Sequence, residues 1–131
     1  MNRVIRHFGI IVFVLLITSC QENHGDTVQL ITVSEMKSLM QLGDVQLVDV
    51  RSEKEFASGH ISRAQNIVYL GDNWEKEFSK LDREKPVLVY CERGGRSKRC
   101  TNKLVAAGFQ KIYDLEGGIQ QWKFAGEPLE N

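Results

Sequence analysis

The segment best suited to chemistry is residues 91–97, which read CERGGRS and place a cysteine three residues before a pair of glycines. It follows a short apolar run, residues 86–90, that predicts a buried strand, and it precedes a stretch of helical composition. Open α/β sheets place their ligand sites at the carboxyl ends of such strands. Gly94 and Gly95 let the backbone curl so that several N–H groups point inward, which makes a cup for an anion at a helix N-terminus. Cys91 is therefore the candidate nucleophile.

Positive charge is concentrated around this cysteine. Residues 91–99 carry four basic side chains against one acidic one, a local net charge of +3, whereas the 17 basic and 17 acidic residues of the whole chain balance. The basic members are Arg93, Arg96, Lys98 and Arg99, and the acidic one is Glu92. The balanced total argues against nucleic acid as a partner. The local charge and the helix dipole favour a thiolate on Cys91 and fit a small anionic ligand.

Alternating strands and helices are predicted on both sides of this loop. Apolar or β-branched runs predict strands at residues 28–33, 46–50, 64–69, 86–90 and 111–115. Helical spacing and stop signals predict helices at residues 34–42, 53–58, 74–81, 97–107 and 119–124. This order predicts a single α/β domain with a central parallel sheet flanked by helices on both faces. Asp49, near the end of its strand, would bring a carboxylate to the strand's tip, and Thr32 with Glu35 forms a capping-box pattern before the first helix.

The N-terminal residues 1–19 have the layout of a secretory signal. Arg3 and Arg6 give a positive start, and residues 8–17 form an apolar run. The run is about ten residues long, whereas a membrane-spanning helix needs about twenty, so a transmembrane anchor is disfavoured. Small residues then precede Cys20, in a pattern that resembles the lipobox of bacterial lipoproteins. Cys20 is therefore predicted to be lipidated, with a plain cleaved signal as the alternative.

Cleavage before Cys20 would remove 19 of the 131 residues and leave 112, enough for one compact domain. Residues 20–27 would form the lipidated cysteine and a polar tether, and residues 28–131 the domain. Membrane attachment would then run through the lipid on Cys20. Gln21 follows that cysteine and, by resemblance to the sorting rule of Gram-negative lipoproteins, favours the outer membrane. The predicted location is the bacterial cell envelope, on the periplasmic face of the outer membrane.

Several separated motifs resemble those of the rhodanese family, in the same order, across residues 28–129. These are Val48-Asp49-Val50-Arg51, Gly59-His60-Ile61 with Ala64 and Asn66, the loop from Cys91 to Arg96, and Glu116-Gly117-Gly118-Ile119 with Trp122. The resemblance implies a single-domain thiosulfate sulfurtransferase, in which the Cys91 thiolate takes a sulfane sulfur from a donor such as thiosulfate. The persulfide would then pass its sulfur to a thiophilic acceptor, either cyanide or a thiol. No metal and no organic cofactor is implied.

The resemblance also assigns roles to the residues around Cys91. Glu92, Arg93, Gly94, Gly95 and Arg96 would form the substrate-binding loop, with Arg96 orienting the oxygens of the donor. Asp49 and Arg51 would support this loop, although they could also pair only with each other. The sequence leaves the oligomeric state open.

Glu92 departs from the pattern, because thiosulfate-using relatives often carry a basic residue directly after the cysteine. A carboxylate there would oppose both thiolate formation and the approach of an anion. Polysulfide, a protein persulfide and a thiol-bound sulfur therefore stay open as donors. Cys100 is predicted to pack on a helix face, too far along the helix to reach Cys91 in a disulfide. His60 is predicted to be architectural.

Two other functions fit the fold. Cell-cycle phosphatases and some arsenate reductases resemble this domain, but their loops place five residues between Cys and Arg, whereas four separate Cys91 from Arg96. The smaller loop fits a sulfur atom better than a tetrahedral oxyanion. A module that carries a persulfide or binds a partner without turnover is the other alternative.

Overall fold

Five strands alternate with five helices along residues 27–131, the part of the chain that the computed structural model describes. The elements are β1 Val28–Ile31, α1 Val33–Leu42, β2 Gln46–Asp49, α2 Glu53–Ala57, β3 Gln65–Asn66, α3 Trp74–Ser79, β4 Val87–Tyr90, α4 Gly95–Ala106, β5 Ile112–Leu115 and α5 Gly118–Phe124. The predicted signal and most of the predicted tether, including Cys20, lie outside the described residues. No helix within residues 27–131 is long and apolar enough to cross a membrane.

The strands form one parallel sheet in the order β1-β5-β4-β2-β3. Because every strand runs the same way, all carboxyl ends meet at one edge, and Asp49 pairs in register with Tyr90, directly before Cys91. This arrangement confirms the predicted α/β fold and brings the candidate residues of β2 and β4 together. β3 has only two residues, shorter than the predicted strand at 64–69, although the Ile67 and Tyr69 N–H groups still donate to the Asp49 and Val50 carbonyls.

Helices cover both faces of the sheet, as the sequence predicts. The side chains of β4 alternate between two apolar clusters, and all four of its residues are buried. Val87 and Val89 pack with Phe78 of α3 and with α4, whereas Leu88 and Tyr90 pack with α1 and α5. A strand buried on both faces reads as a continuous apolar run, which is why residues 86–90 stand out in the sequence.

Local sequence signals fix where two of the helices begin. α1 is capped by Thr32, whose side chain accepts from the Glu35 N–H while the Glu35 carboxylate accepts from the Thr32 N–H, so the capping box is confirmed. α4 begins at Gly95, two residues before the predicted start, because Gly94 at a φ of 106° already turns the chain into the helix. This early start places the helix N-terminus directly beside Cys91.

Candidate active site

Cys91 lies at the carboxyl end of β4, where the chain turns into α4. The residue is 1% exposed, and the backbone N–H of Gly94 donates to its Sγ over 3.1 Å. The hydroxyl oxygen of Ser97, in the first turn of α4, lies 3.5 Å from the same sulfur. The loop therefore surrounds the sulfur with hydrogen-bond donors, the geometry that suits an anionic sulfur.

These donors decide the acidity of the thiol. Burial by itself would raise the pKa of Cys91, because desolvation disfavours the charged form. Hydrogen bonds from the Ser97 hydroxyl and from the backbone N–H groups of Ser97, Gly94 and Arg93 outweigh that effect and hold the pKa of Cys91 below its ordinary value. The thiolate fraction at neutral pH is therefore larger than for an ordinary cysteine.

The N-terminus of α5 holds the loop from the other side. The Ile119 N–H donates to the Cys91 carbonyl over 2.9 Å, and the Gln120 N–H donates to the Glu92 carbonyl over 3.2 Å. Gly118 makes this contact possible, since its φ is 62° and a Cβ on it would lie 2.5 Å from the Cys91 carbonyl oxygen. Gly118, the first residue of α5, therefore allows close backbone contact with the active-site loop, beyond the turn that the sequence indicates.

Asp49 and Arg51 support the loop from the end of β2. Arg51 is only 2% exposed, and its guanidinium donates to both carboxylate oxygens of Asp49 at 2.7 to 3.0 Å and to the Gly59 carbonyl at 2.7 Å. Its remaining side donates to Glu92 Oε2 over 3.2 Å. Asp49 and Arg51 therefore pair with each other, and Arg51 also reaches the loop through Glu92.

The environment of Glu92 differs from what the sequence suggests. Its carboxylate accepts from Arg51 and from the Gln120 side chain, so the charge faces those donors. Burial by itself would raise the pKa of Glu92. The hydrogen bonds from Gln120 and Arg51 outweigh that effect, so the pKa of Glu92 lies below its usual value. Glu92 is thus an ionised carboxylate with a partner on each oxygen, which weakens the expected opposition to a thiolate on Cys91.

Arg96, which the sequence predicts to orient a bound donor, is paired with a carboxylate of the protein itself. Its two terminal nitrogens donate to the two oxygens of Glu55 on α2, each over 2.7 Å. This bidentate pair is the first cause of the pKa of Glu55 falling to about 2. Glu55 is further fixed by a capping box with Ser52. Arg96 is therefore engaged with a protein carboxylate, and a donor anion has to compete with Glu55 for it.

The cations that stay available lie on the outer side of the loop. Arg93, Lys98 and Arg99 are exposed, and none of them forms an ion pair with any residue between 27 and 131. Gly95 is exposed between them, so the backbone there is open to a ligand. The local positive charge predicted from the sequence is thus carried by these three residues.

Cys100 and His60 have structural surroundings. Cys100 is fully buried in the cluster between the sheet and α4, and burial raises the pKa of its thiol to about 12. Both Cys91 and Cys100 are free thiols. The His60 ring stacks on Phe56 with 3.7 Å between ring centroids, and its Nδ1 lies 3.0 Å from the Phe56 carbonyl. No group of three metal-ligating side chains occurs within residues 27–131.

Sequence reasoning missed four side chains around the site: Glu55, Ser97, Asp114 and Gln120. Ser97 closes the CERGGRS segment and could have been found from its place at the start of the helix. Glu55 stands three residues after Ser52, a spacing that indicates a capping box but says nothing about Arg96. Nothing in the local sequence around Asp114 or Gln120 indicates their neighbours.

The fold and the cysteine loop agree with comparisons to known proteins. The model of the family described as Rhodanese-like domain matches residues 32–125. The chain therefore belongs to the rhodanese-like domain family.

Two relatives illustrate that similarity. A protein of Coxiella burnetii named thiosulfate sulfurtransferase GlpE is 38% identical over 90 residues, covering 68% of this chain and 81% of its own length. Thiosulfate sulfurtransferase 18 of Arabidopsis thaliana is 38% identical over 104 residues, covering 70% of this chain and 76% of its own length.

Solved structures give the same fold. A rhodanese-related protein from Thermoplasma volcanium superposes with a TM-score of 0.69 at 28% identity, over 78% of this chain and 97% of that one. A rhodanese-like domain protein from Staphylococcus aureus gives a TM-score of 0.67 at 31% identity, over 78% of this chain and 96% of that one.

Proposed function

We propose that this protein is a sulfurtransferase that carries sulfur as a persulfide on Cys91. The Cys91 thiolate attacks the sulfane sulfur of a donor such as thiosulfate, and the S–S bond of the donor breaks so that sulfite leaves with the electron pair. A cyanide or thiolate acceptor then attacks the terminal sulfur of the persulfide. Thiocyanate or a new persulfide leaves, and the Cys91 thiolate is restored. This cycle needs neither a metal nor an organic cofactor.

The convergence of hydrogen-bond donors on one sulfur is the observation that carries this proposal. Gly94 donates to Sγ over 3.1 Å, and the combined donors lower the pKa of Cys91 despite its burial. The same donors would stabilise the terminal anion of a persulfide, since that sulfur would lie in the cup that the loop encloses. Among residues 27–131 no hydrogen bond reaches the Cys100 sulfur, and the pKa of this thiol is raised, so of Cys91 and Cys100 only Cys91 suits the chemistry.

Thiosulfate is the default donor, because the exposed Arg93, Lys98 and Arg99 attract a small anion to the loop. The pairing of Arg96 with Glu55 at 2.7 Å weakens that choice, since the arginine is not free for the donor's oxygens. This pair is the observation that favours the second candidate, a persulfide carrier that is loaded by polysulfide or by another protein and does not turn over thiosulfate. A phosphatase is disfavoured by the four-residue spacing from Cys91 to Arg96.

We also propose that the domain is held on the periplasmic face of the outer membrane by a lipid on Cys20. The tether would join the domain at Val28, the first residue of β1. All strands are parallel, so Val28 lies at the amino ends of the strands, whereas Cys91 lies at their carboxyl ends on the opposite side of the sheet. The loop would therefore face away from the lipid. Labelling with a fatty acid should mark the full chain and leave Cys20→Ser unlabelled, and equal labelling of both would reject the anchor.

The first experiment is the intact mass of a chain that begins at Glu22 and retains all of residues 27–131. We expect thiosulfate to add about 32 Da, the mass of one sulfur, and cyanide to remove it. Cys91→Ser should not gain this mass, whereas Cys100→Ser, the matched control on α4, should gain most of it.

The other outcomes have defined meanings. A gain with polysulfide but none with thiosulfate would select the persulfide carrier. No gain with either donor would reject sulfur transfer and leave a binding module. Equal loss in both serine variants would contradict the structural role of Cys100.

A further inference from the structure

Asp114 is a buried carboxylate for which the proposed cycle has no use. It lies on β5 with its side chain on the α4 face of the sheet, it is 4% exposed, and no hydrogen bond reaches its Oδ1 from any residue between 27 and 131. Its neighbours across the sheet are Leu30 on β1 and Val89 on β4, neither of which can pair with a charge. Burying a carboxylate without partners is costly, so its position calls for an explanation.

The hydroxyl of Ser97, in the first turn of α4, is the polar group that acts on Asp114. Ser97 is fully buried, and its hydroxyl lies close enough to the Asp114 carboxyl to lower the pKa of that carboxyl. The same oxygen lies 3.5 Å from Cys91 Sγ and 3.3 Å from the Gly94 carbonyl oxygen. A serine hydroxyl has one hydrogen to donate but can accept from other groups. The Gly94 carbonyl and the Cys91 sulfur therefore compete for that hydrogen, and an ionised Asp114 carboxylate would be a third acceptor.

We propose that Asp114 is a positioning residue that sets the direction of the Ser97 hydroxyl and thereby the acidity of Cys91. When Asp114 is ionised, it accepts the Ser97 hydrogen and withdraws it from the sulfur. When Asp114 is protonated, it donates to Ser97 Oγ, and the Ser97 hydrogen turns to the thiolate or persulfide. Asp114 never touches the donor or the acceptor. The proposal deepens the proposed function, because it rests on an anionic sulfur at Cys91.

The surroundings of Asp114 allow it to change protonation state. Burial is the main cause that raises its pKa to about 6, so both forms exist near neutral pH. A cavity of about 400 Å³ that Asp114 lines together with Gly94 and Thr101 gives protons a route from solvent. The charged or titratable groups around Asp114 are Arg93, Lys98 and Glu116 on the cavity wall, Cys100 on α4 and Cys91 beyond Ser97. β1 contributes only Val28 and Leu30 to this wall.

The test measures the reactivity of Cys91 directly, without a sulfur donor. The full chain is alkylated with iodoacetamide between pH 4.5 and 9, and the Cys91 peptide is quantified by mass spectrometry, which separates it from Cys100. In the wild type, the profile should contain a second step near pH 6, the pKa of Asp114. Asp114→Asn should remove that step and lower the apparent pKa of Cys91 by about 1.

Ser97→Ala separates hydroxyl positioning from a simple effect of charge. In the Ser97→Ala background, Asp114→Asn should leave the apparent pKa of Cys91 nearly unchanged, because the hydroxyl that transmits the effect is gone. Glu116→Gln is the matched control, since it removes an exposed carboxylate from the same cavity wall without contact to Ser97. It should leave the Cys91 profile as in the wild type.

Three results would overturn the proposal. They are an unchanged profile in Asp114→Asn, a shift of equal size in the Ser97→Ala background, and a shift of equal size in Glu116→Gln. Sulfur loading is not part of this measurement. A chain that fails to load sulfur but shows the expected alkylation profiles would reject the proposed function and keep the role of Asp114.

Discussion

Two buried carboxylates on the same sheet, those of Asp49 and Asp114, differ in the partners that surround them. Asp49, at the end of β2, is fully buried, and its two oxygens accept from the Arg51 guanidinium at 2.7 to 3.0 Å. Asp114, on β5, is 4% exposed, and its Oδ1 has no partner among residues 27–131. Burial is nearly equal, so the difference lies in the partners. A buried acid with a fixed counter-charge is structural, whereas one without it becomes titratable near neutral pH.

The two carboxylates act on opposite sides of the Cys91 loop. Through Arg51, Asp49 reaches the carboxylate of Glu92 and holds the loop from the β2 side. Through Ser97, Asp114 lies beneath the first turn of α4, on the side where the sulfur receives its donors. One side therefore supplies rigidity, and the other side supplies a group whose charge can change.

Arg51→Met should have the largest effect on stability. It removes every guanidinium bond to Asp49 and leaves a fully buried carboxylate without its counter-charge. Removing one partner of such a buried pair costs about 3 to 5 kcal/mol. Urea unfolding at pH 7.5 measures the loss. The double variant Asp49→Leu with Arg51→Met should recover much of it, because an apolar pair replaces the ion pair. A loss below about 1 kcal/mol in the single variant would contradict the structural role of this pair.

Asp114→Asn should stabilise the folded chain above neutral pH, whereas Arg51→Met should destabilise it. The pKa of Asp114 is about 6 in the folded chain against an ordinary 3.8. The folded state therefore holds a proton that the unfolded chain has already released. This contribution to stability is complete below about pH 4, and it is lost as the pH rises through 6. Asp114→Asn cannot ionise, so it should gain about 2 to 3 kcal/mol over the wild type between pH 4 and 7.

The measurement for Asp114 is a series of urea midpoints from pH 4 to 8 for the wild type and the variant. The difference between the two chains should grow with pH and level off above about pH 7. Glu116→Gln makes the same kind of change at an exposed carboxylate, and its urea midpoints should run parallel to those of the wild type from pH 4 to 8. Parallel curves for Asp114→Asn as well would show that this carboxylate does not titrate near pH 6.

Much of the fold could be predicted from the sequence, because it depends on local signals. The continuous apolar run at residues 86–90 indicates a strand buried on both faces, and β4 is that strand. Thr32 and Glu35 indicate a helix start, and α1 begins there. Cys91 at the end of β4, three residues before a pair of glycines, was visible for the same reason, since strand, turn and helix start are adjacent in the chain.

The partners of the charged side chains could not be predicted in this way. Arg96 pairs with Glu55, and Glu92 pairs with Arg51, in both cases with a residue 41 positions away. Which of several acidic residues an arginine meets depends on how the helices pack on the sheet, and no local pattern encodes that choice. Asp114 was missed for a related reason, because the lack of a counter-charge beside a buried carboxylate also depends on tertiary packing.

Glu55→Gln extends the comparison to a carboxylate near the surface and should have the smallest effect on stability. Its pair with Arg96 is one-third exposed on both sides, and exposed pairs contribute about 0 to 1 kcal/mol. Glutamine can still close the capping box with Ser52, so the variant isolates the ion pair. Freed from Glu55, Arg96 can turn to an anionic donor. Thiosulfate should then load Cys91 several-fold faster at low salt, with a steeper fall as salt is added.

Glu53→Gln is the matched control for this prediction, because Glu53 lies in the first turn of the same helix and is exposed. It removes an equal charge without touching Arg96, so it should change the loading rate much less. The rate of mass gain under thiosulfate, at two salt concentrations, separates the two variants. Slower loading in Glu55→Gln would reverse the interpretation, since Glu55 would then hold Arg96 in the orientation that the donor needs.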